Sequence, residues 1–159
     1  MHIVEDDVIL PNGKTLKYLR EAPGKRHSVT TIAINDKNEI LVQREYSYPP
    51  NTAMIQLPGG AIEDDEAVIV AANRELSEES GYLAENTKQI GHYFTSNRRS
   101  DQKQFVVLCT DLKEYKLPED PEEFIESEWI KIDKLKEMIG NGEIVNINML
   151  AALNIWFNL

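Results

Sequence analysis

Short apolar runs punctuated by turn residues dominate the chain, and they predict strands. Val8-Ile9-Leu10 and Leu16-Lys17-Tyr18-Leu19 flank Pro11-Asn12-Gly13, the turn chemistry of an N-terminal β-hairpin. Residues 29–34 and 40–43 read as strands separated by Asn35-Asp36-Lys37-Asn38. Met54-Ile55-Gln56-Leu57 is a short strand running into Pro58-Gly59-Gly60. An alanine- and glutamate-rich helix is predicted over about residues 65–80 and stopped by Gly81. Residues 88–94 and 104–110 read as strands joined by the polar loop 96–101, and residues 129–132 as another. Asp133 is expected to cap a short helix that Gly140-Asn141-Gly142 ends, and a last helix spans about residues 146–158. Many strands, one helix mid-chain and two at the end predict an α+β fold with a mixed sheet between helices.

The mid-chain helix carries the chemistry. Residues 60–82 read GAIEDDEAVIVAANRELSEESGY. At 100° per residue Glu75 and Glu79 lie one turn apart with Glu78 just to one side. Val68, Ala71 and Ala72 fall on the Glu75/Glu79 face, and Val70, Asn73 and Ser77 fall opposite. Carboxylates that continue an apolar stripe repel one another unless something compensates. Arg74 stands at i,i+4 spacing from Glu78 and can hold that carboxylate. From residue chemistry two readings stay open: a solvated acidic face, or a site for a hard divalent cation such as Mg²⁺, which favours carboxylate oxygens.

Composition narrows the partners. The 159 residues are 42% hydrophobic and 28% charged, which suits one domain spanning 1–159. A formal net charge of −10, from 27 acidic and 17 basic residues, disfavours nucleic acid and anionic membranes. No apolar run approaches the ~18 residues of a membrane span, and the start lacks a signal-peptide pattern, so a cytoplasmic location is expected. The single cysteine, Cys109, lies in an apolar run and reads as an inert buried thiol.

Gly60, five residues, Glu66, seven residues, then Arg74-Glu75-Leu76-Ser77-Glu78-Glu79-Ser80-Gly81-Tyr82 resembles the Nudix box, G-x5-E-x7-R-E-U-x-E-E-x-G-U with U bulky and aliphatic. Tyr82 at the last aliphatic position is the one departure. The resemblance implies an α/β/α sandwich and metal-assisted hydrolysis of a diphosphate. It implies Glu75 and Glu79 as main metal ligands, Glu78 as a further ligand or a water-orienting group, and a backbone carbonyl from Gly59 or Gly60. Arg74 would brace the glutamates and Glu66 would support the loop. The implied cofactor is Mg²⁺, with Mn²⁺ also suited to oxygen ligands. It would draw charge from the pyrophosphate oxygens and lower the pKa of a bound water.

Beyond the box, residues 40–49, Ile55-Gln56-Leu57-Pro58-Gly59-Gly60, residues 122–129 and Gly142-Glu143-Ile144 resemble the ADP-ribose pyrophosphatase and nucleoside-diphosphate-sugar subgroup. Ser47 and Asn97 stand where that subgroup usually has an arginine and a proline. The substrate therefore stays open between ADP-ribose and a nucleotide sugar. Arg44, Arg98, Arg99 and Tyr46 are candidate substrate contacts, and Glu123, with Glu122 beside it, is the candidate general base alongside Glu78 and Glu79. The resemblance also implies a homodimer with the hairpin of residues 1–22 in its interface. Two other functions share the box: house-cleaning hydrolysis of nucleoside triphosphates, and a non-catalytic nucleotide sensor.

Overall fold

The computed structural model describes residues 2–22, 27–115 and 125–159. The hairpin forms as its turn predicts. Strand β1 (Ile3–Ile9) pairs antiparallel with β2 (Thr15–Glu21). Gly13 takes φ +80°, its N–H donates to the Leu10 carbonyl at 2.8 Å, and Asn12 Oδ1 accepts from the Lys14 N–H. Glycine adopts that left-handed conformation without a Cβ penalty.

The remaining strands form two three-stranded sheets. One has the order β3 (Ser28–Ala33), β7 (Lys103–Glu114), β6 (Tyr82–Phe94), with β3 parallel to β7 and β6 antiparallel to it. This is the mixed sheet. The other, β5 (Thr52–Gln56), β4 (Glu39–Ser47), β8 (Ile125–Lys131), is wholly antiparallel. The Val29 and Thr31 N–H groups donate to the Gly60 and Pro58 carbonyls, stitching β3 to the segment that follows β5.

Helix α1 (Val68–Ser80) covers one side of the sheets, and α2 (Ile132–Gly140) and α3 (Ile147–Phe157) cover the other. Strand alternation feeds both cores. Val29, Ala33, Leu41 and Val107 pack with Ala71, Ala72 and Leu76 of α1. Ile32, Ile40, Val42 and Val106 pack with Leu135, Met138, Met149 and Leu153. Cys109 is fully buried, and burial pushes its thiol pKa up to about 12, so it stays protonated.

Several boundaries move from their sequence positions, each for a local reason. Strand β6 begins at Tyr82 because it is a sheet edge, where the polar run Glu85-Asn86-Thr87-Lys88 faces water while its backbone pairs with β7. Helix α1 begins at Val68, since Asp65 has φ +65° and Ala67 occupies the N-cap position. Asp133 is not the cap of α2; it lies in the first turn, after Lys131, where its charge still favours the helix dipole.

The buried arc of α1 also differs from the expected one. It runs through Ala71, Ala72, Leu76 and Ser77, so Glu75, Glu78 and Glu79 lie at its rim. Asn73 and Ser77 are packed rather than solvated. The Asn73 side chain accepts from the Ala84 N–H at 2.9 Å and donates to the Ala84 carbonyl at 3.2 Å, and Ser77 Oγ donates to the Tyr82 carbonyl at 3.0 Å. An amide can serve a strand edge as a second strand would. Replacing Asn73 by alanine is expected to cost about 1–3 kcal/mol of unfolding free energy in urea titrations, because both Ala84 groups lose their partner. Val70→Ala, at a residue 58% exposed on the same helix, is expected to change it by less than about 0.5 kcal/mol.

Candidate active site

Pro58-Gly59-Gly60-Ala61 passes the C-terminal half of α1 at very close range. Gly59 has φ +152°, and a Cβ there would overlap the Val29 carbonyl oxygen. A Cβ on Gly60 would lie 2.5 Å from Glu75 Oε1 and 2.6 Å from its Cδ. Glycine at both positions lets backbone and carboxylate share this space. The Gly59 N–H donates to Glu79 Oε2 at 2.9 Å, so the loop also holds the last box glutamate.

Arg74 is the hub. Its Nε and Nη2 grip the two Glu66 oxygens at 2.9 and 3.0 Å in a forked pair. Its Nη1 donates to Glu75 Oε1 at 2.9 Å and Glu78 Oε2 at 3.0 Å, and Nη2 also donates to the Ala61 carbonyl at 2.9 Å. Those bonds use all five N–H groups of the guanidinium, a geometry that lysine cannot reproduce. Glu66 is the partner that helical spacing could not reveal, since it precedes the helix and reaches Arg74 from the loop. Its Oε2 also accepts from the Glu63 N–H at 2.9 Å.

The electrostatics follow. Arg74's hydrogen bonds hold the Glu66 carboxyl below the usual carboxylate range, against a partial burial that pushes it up; the Glu63 N–H and Arg74's charge add to the lowering. The same pair, led by Glu66, raises the Arg74 pKa further above its already high value.

Among the described residues no three carboxylate, imidazole or thiolate side chains form a ready-made chelate. Glu75 and Glu78 each give one oxygen to Arg74, and Glu79 gives one to Gly59. Mg²⁺ takes one or two carboxylates and completes its shell with water and phosphate oxygens, so the all-oxygen set at this rim fits such an ion. Of the two candidate carbonyls, that of Gly60 already accepts from the Val29 N–H at 2.9 Å, with one lone pair remaining.

The other sequence candidates are spread out. Arg44 is exposed on β4 opposite Ile55 and Glu126. Tyr46, 51% exposed, donates to Asn51 Oδ1 at 2.6 Å across the β4–β5 turn. Arg98 and Arg99 are exposed and tie the loop to the hairpin. Tyr18 Oη donates to the Arg98 carbonyl at 2.6 Å, Arg99 Nη1 donates to the Leu19 carbonyl at 2.6 Å, and the Arg99 carbonyl accepts from Glu21 at 2.7 Å. Glu122 and Glu123 lie outside the described residues.

The Glu66–Arg74 pair makes stability depend on pH with a definite sign. Glu66 is ionised in the folded chain at pH values where the unfolded chain, with an ordinary glutamate near 4.5, has begun to take up the proton. Its contribution is therefore complete above that value and lost as pH falls below it. Glu66→Gln is expected to flatten the fall of unfolding free energy between pH 6 and pH 3, measured by urea denaturation; parallel curves for the two proteins would count against this coupling.

Comparison with known proteins agrees with the geometry. The NUDIX domain profile matches residues 24–153. An ADP-ribose pyrophosphatase of Bacillus subtilis (strain 168) is 29% identical over 150 residues, covering 93% of this chain and 80% of that protein. A methanol dehydrogenase activator of Bacillus methanolicus is 31% identical over 150 residues with the same coverage, 93% and 80%. In three dimensions the chain matches the crystal structure of an ADP compounds hydrolase with a TM-score of 0.88 at 23% identity, covering 98% of this chain and 84% of that one, a likeness of fold. With a family profile spanning most of its length and a three-layer α+β fold around the Arg74 hub, this chain belongs to the Nudix hydrolase family.

Proposed function

We propose that the chain hydrolyses the diphosphate bond of a nucleoside diphosphate linked to another group, ADP-ribose or a nucleotide sugar, with Mg²⁺ as its metal. The observation that carries the reading is the gathering of Glu75, Glu78 and Glu79 around Arg74 and the two glycines. The similarity to an ADP-ribose pyrophosphatase supports the substrate class. Glu75 and Glu79 would hold the ion, with Glu78 and a glycine carbonyl as further oxygen donors. When bound, the ion supplies charge neutralisation for the phosphate oxygens of the transition state.

The chain's own groups do the rest. Arg74 keeps like-charged carboxylates within reach of one another, and Glu78 or Glu79 takes the proton of the attacking water. Glu123 is retained as a candidate for that last role. Arg44, Arg98, Arg99 and Tyr46 are exposed groups that can meet the nucleotide, and the arginines offset the surrounding negative charge.

The test is Mg²⁺-dependent phosphate-bond hydrolysis across ADP-ribose, sugar nucleotides, dinucleotides and nucleoside triphosphates. Turnover of a diphosphate-linked substrate is expected, with kcat lowered at least about a hundredfold in Glu79→Gln. Preference for nucleoside triphosphates would move the chain to the house-cleaning class, and tight binding without turnover would make it a sensor.

We also propose a homodimer with the hairpin of residues 1–22 at its interface, working as a cytoplasmic enzyme. Ile3, Ile9 and Leu19 are 50%, 76% and 52% exposed on one face of the hairpin. A two-stranded hairpin is marginal alone in water, so an apolar partner for this face is physically favourable. Among the described residues no helix is long and apolar enough to cross a membrane. Light scattering is expected to give twice the chain mass, and Leu19→Glu to shift the population towards monomer. A monomeric wild type at micromolar concentration would refute the dimer.

A further inference from the structure

Strand β4 sends Leu41 into the α1 core and Ile40 and Val42 into the opposite one. Gln43, two residues beyond Leu41, therefore faces α1. It is 1% exposed, and among the described residues neither its Nε2 nor its Oε1 has a hydrogen-bond partner. A buried amide with both ends unmade is destabilising, and each such group in a folded protein calls for a cause.

Its position supplies one. Across the sheet Gln43 stands between Gln56 on β5 and Ser127 on β8. Both flanks lead to Glu79. Ser127 Oγ is 3.5 Å from the Glu79 carbonyl oxygen, and Gly59, three residues after Gln56, donates to Glu79 Oε2. Gln43 thus lies in the row of the sheet that passes beneath Glu79, between the two segments that touch it. The neighbouring amide is already committed, since Gln56 Nε2 donates to Glu45 and Gln56 Oε1 accepts from Asn146.

We propose that Gln43 is a positioning residue of the hydrolytic centre: its carboxamide binds a water molecule that links it to the Glu79 carboxylate and fixes how that carboxylate presents its oxygens. A buried water needs two or more polar partners, and an amide that can both donate and accept, with the Glu79 carboxylate beyond it, offers them. The inference rests on Glu79 being a metal ligand, as read above. Groups that orient a ligand from behind typically tune metal affinity by about tenfold to a hundredfold.

The experiment compares the wild-type chain with Gln43→Met, which keeps the unbranched shape and removes both hydrogen-bonding ends. Mg²⁺ affinity is measured by calorimetry without substrate, and kcat and KM with the substrate found active. Expected are Mg²⁺ binding and kcat each weaker by about tenfold or more, with KM within about twofold. Gln43→Leu repeats the test if the methionine variant fails to fold, as judged by circular dichroism. Unchanged Mg²⁺ affinity and kcat, with a raised Tm, would overturn the proposal and leave Gln43 a tolerated core amide. A rise in KM alone would overturn it too, making Gln43 a substrate contact. A wild type that turns over substrate but takes up no Mg²⁺ would bring down the metal reading itself, a result distinct from either.

Discussion

The whole site depends on one guanidinium. Glu66, Glu75 and Glu78 would repel one another wherever they met, and Arg74 makes their meeting possible by giving each a charge-assisted hydrogen bond and spending its last donor on a backbone carbonyl. The pair with Glu66 is the anchor. Because Glu66 sits in the loop and Arg74 in the helix, that forked contact fixes the orientation of the helix rim to the loop. The arrangement is an acidic cluster that is locally compensated and still has carboxylate oxygens at the edge of the core.

The fold serves that rim in layers. Leu76, Ala71 and Ala72 bind α1 to the sheets, and Asn73 and Ser77 clasp the start of β6, so the helix is fixed on its apolar and its polar flanks. The rim that is left faces Gly59 and Gly60, which β3 in turn holds through Val29 and Thr31. On the far side α2 and α3 close a second core against the same sheets, with Ile32 of β3 and Leu57 before the glycine loop among its members.

Much of this was legible in the sequence, and the reasons differ by element. The hairpin turn was readable because Asn12-Gly13 specifies a local backbone conformation. The box residues were readable because Gly60, Glu66, Arg74 and the glutamates recur at fixed spacing, and the Arg74–Glu78 contact because it is one helical turn. The Glu66–Arg74 fork was not, since no periodicity relates a loop residue to a helix that starts after it. The packed roles of Asn73 and Ser77 were hidden for a similar reason: their partners lie on β6, whose polar first half resembles a loop until its pairing with β7 is known. Gln43 gave no signal at all, because an amide inside a short apolar strand looks like the polar half of an alternation.

The contact between Gly60 and Glu75 has a consequence for how such a chain can change. Two segments fifteen positions apart are keyed together by an atom that is missing. Any side chain at position 60 would have to displace a carboxylate already committed to Arg74, so loop and helix can only be altered together. The β4–β5 turn and the loop at 96–101 are held by hydrogen bonds instead, Tyr46 to Asn51 in the one and Arg98 and Arg99 to the hairpin in the other. Loop and helix are in that sense a single part of the domain, open to change only as a pair.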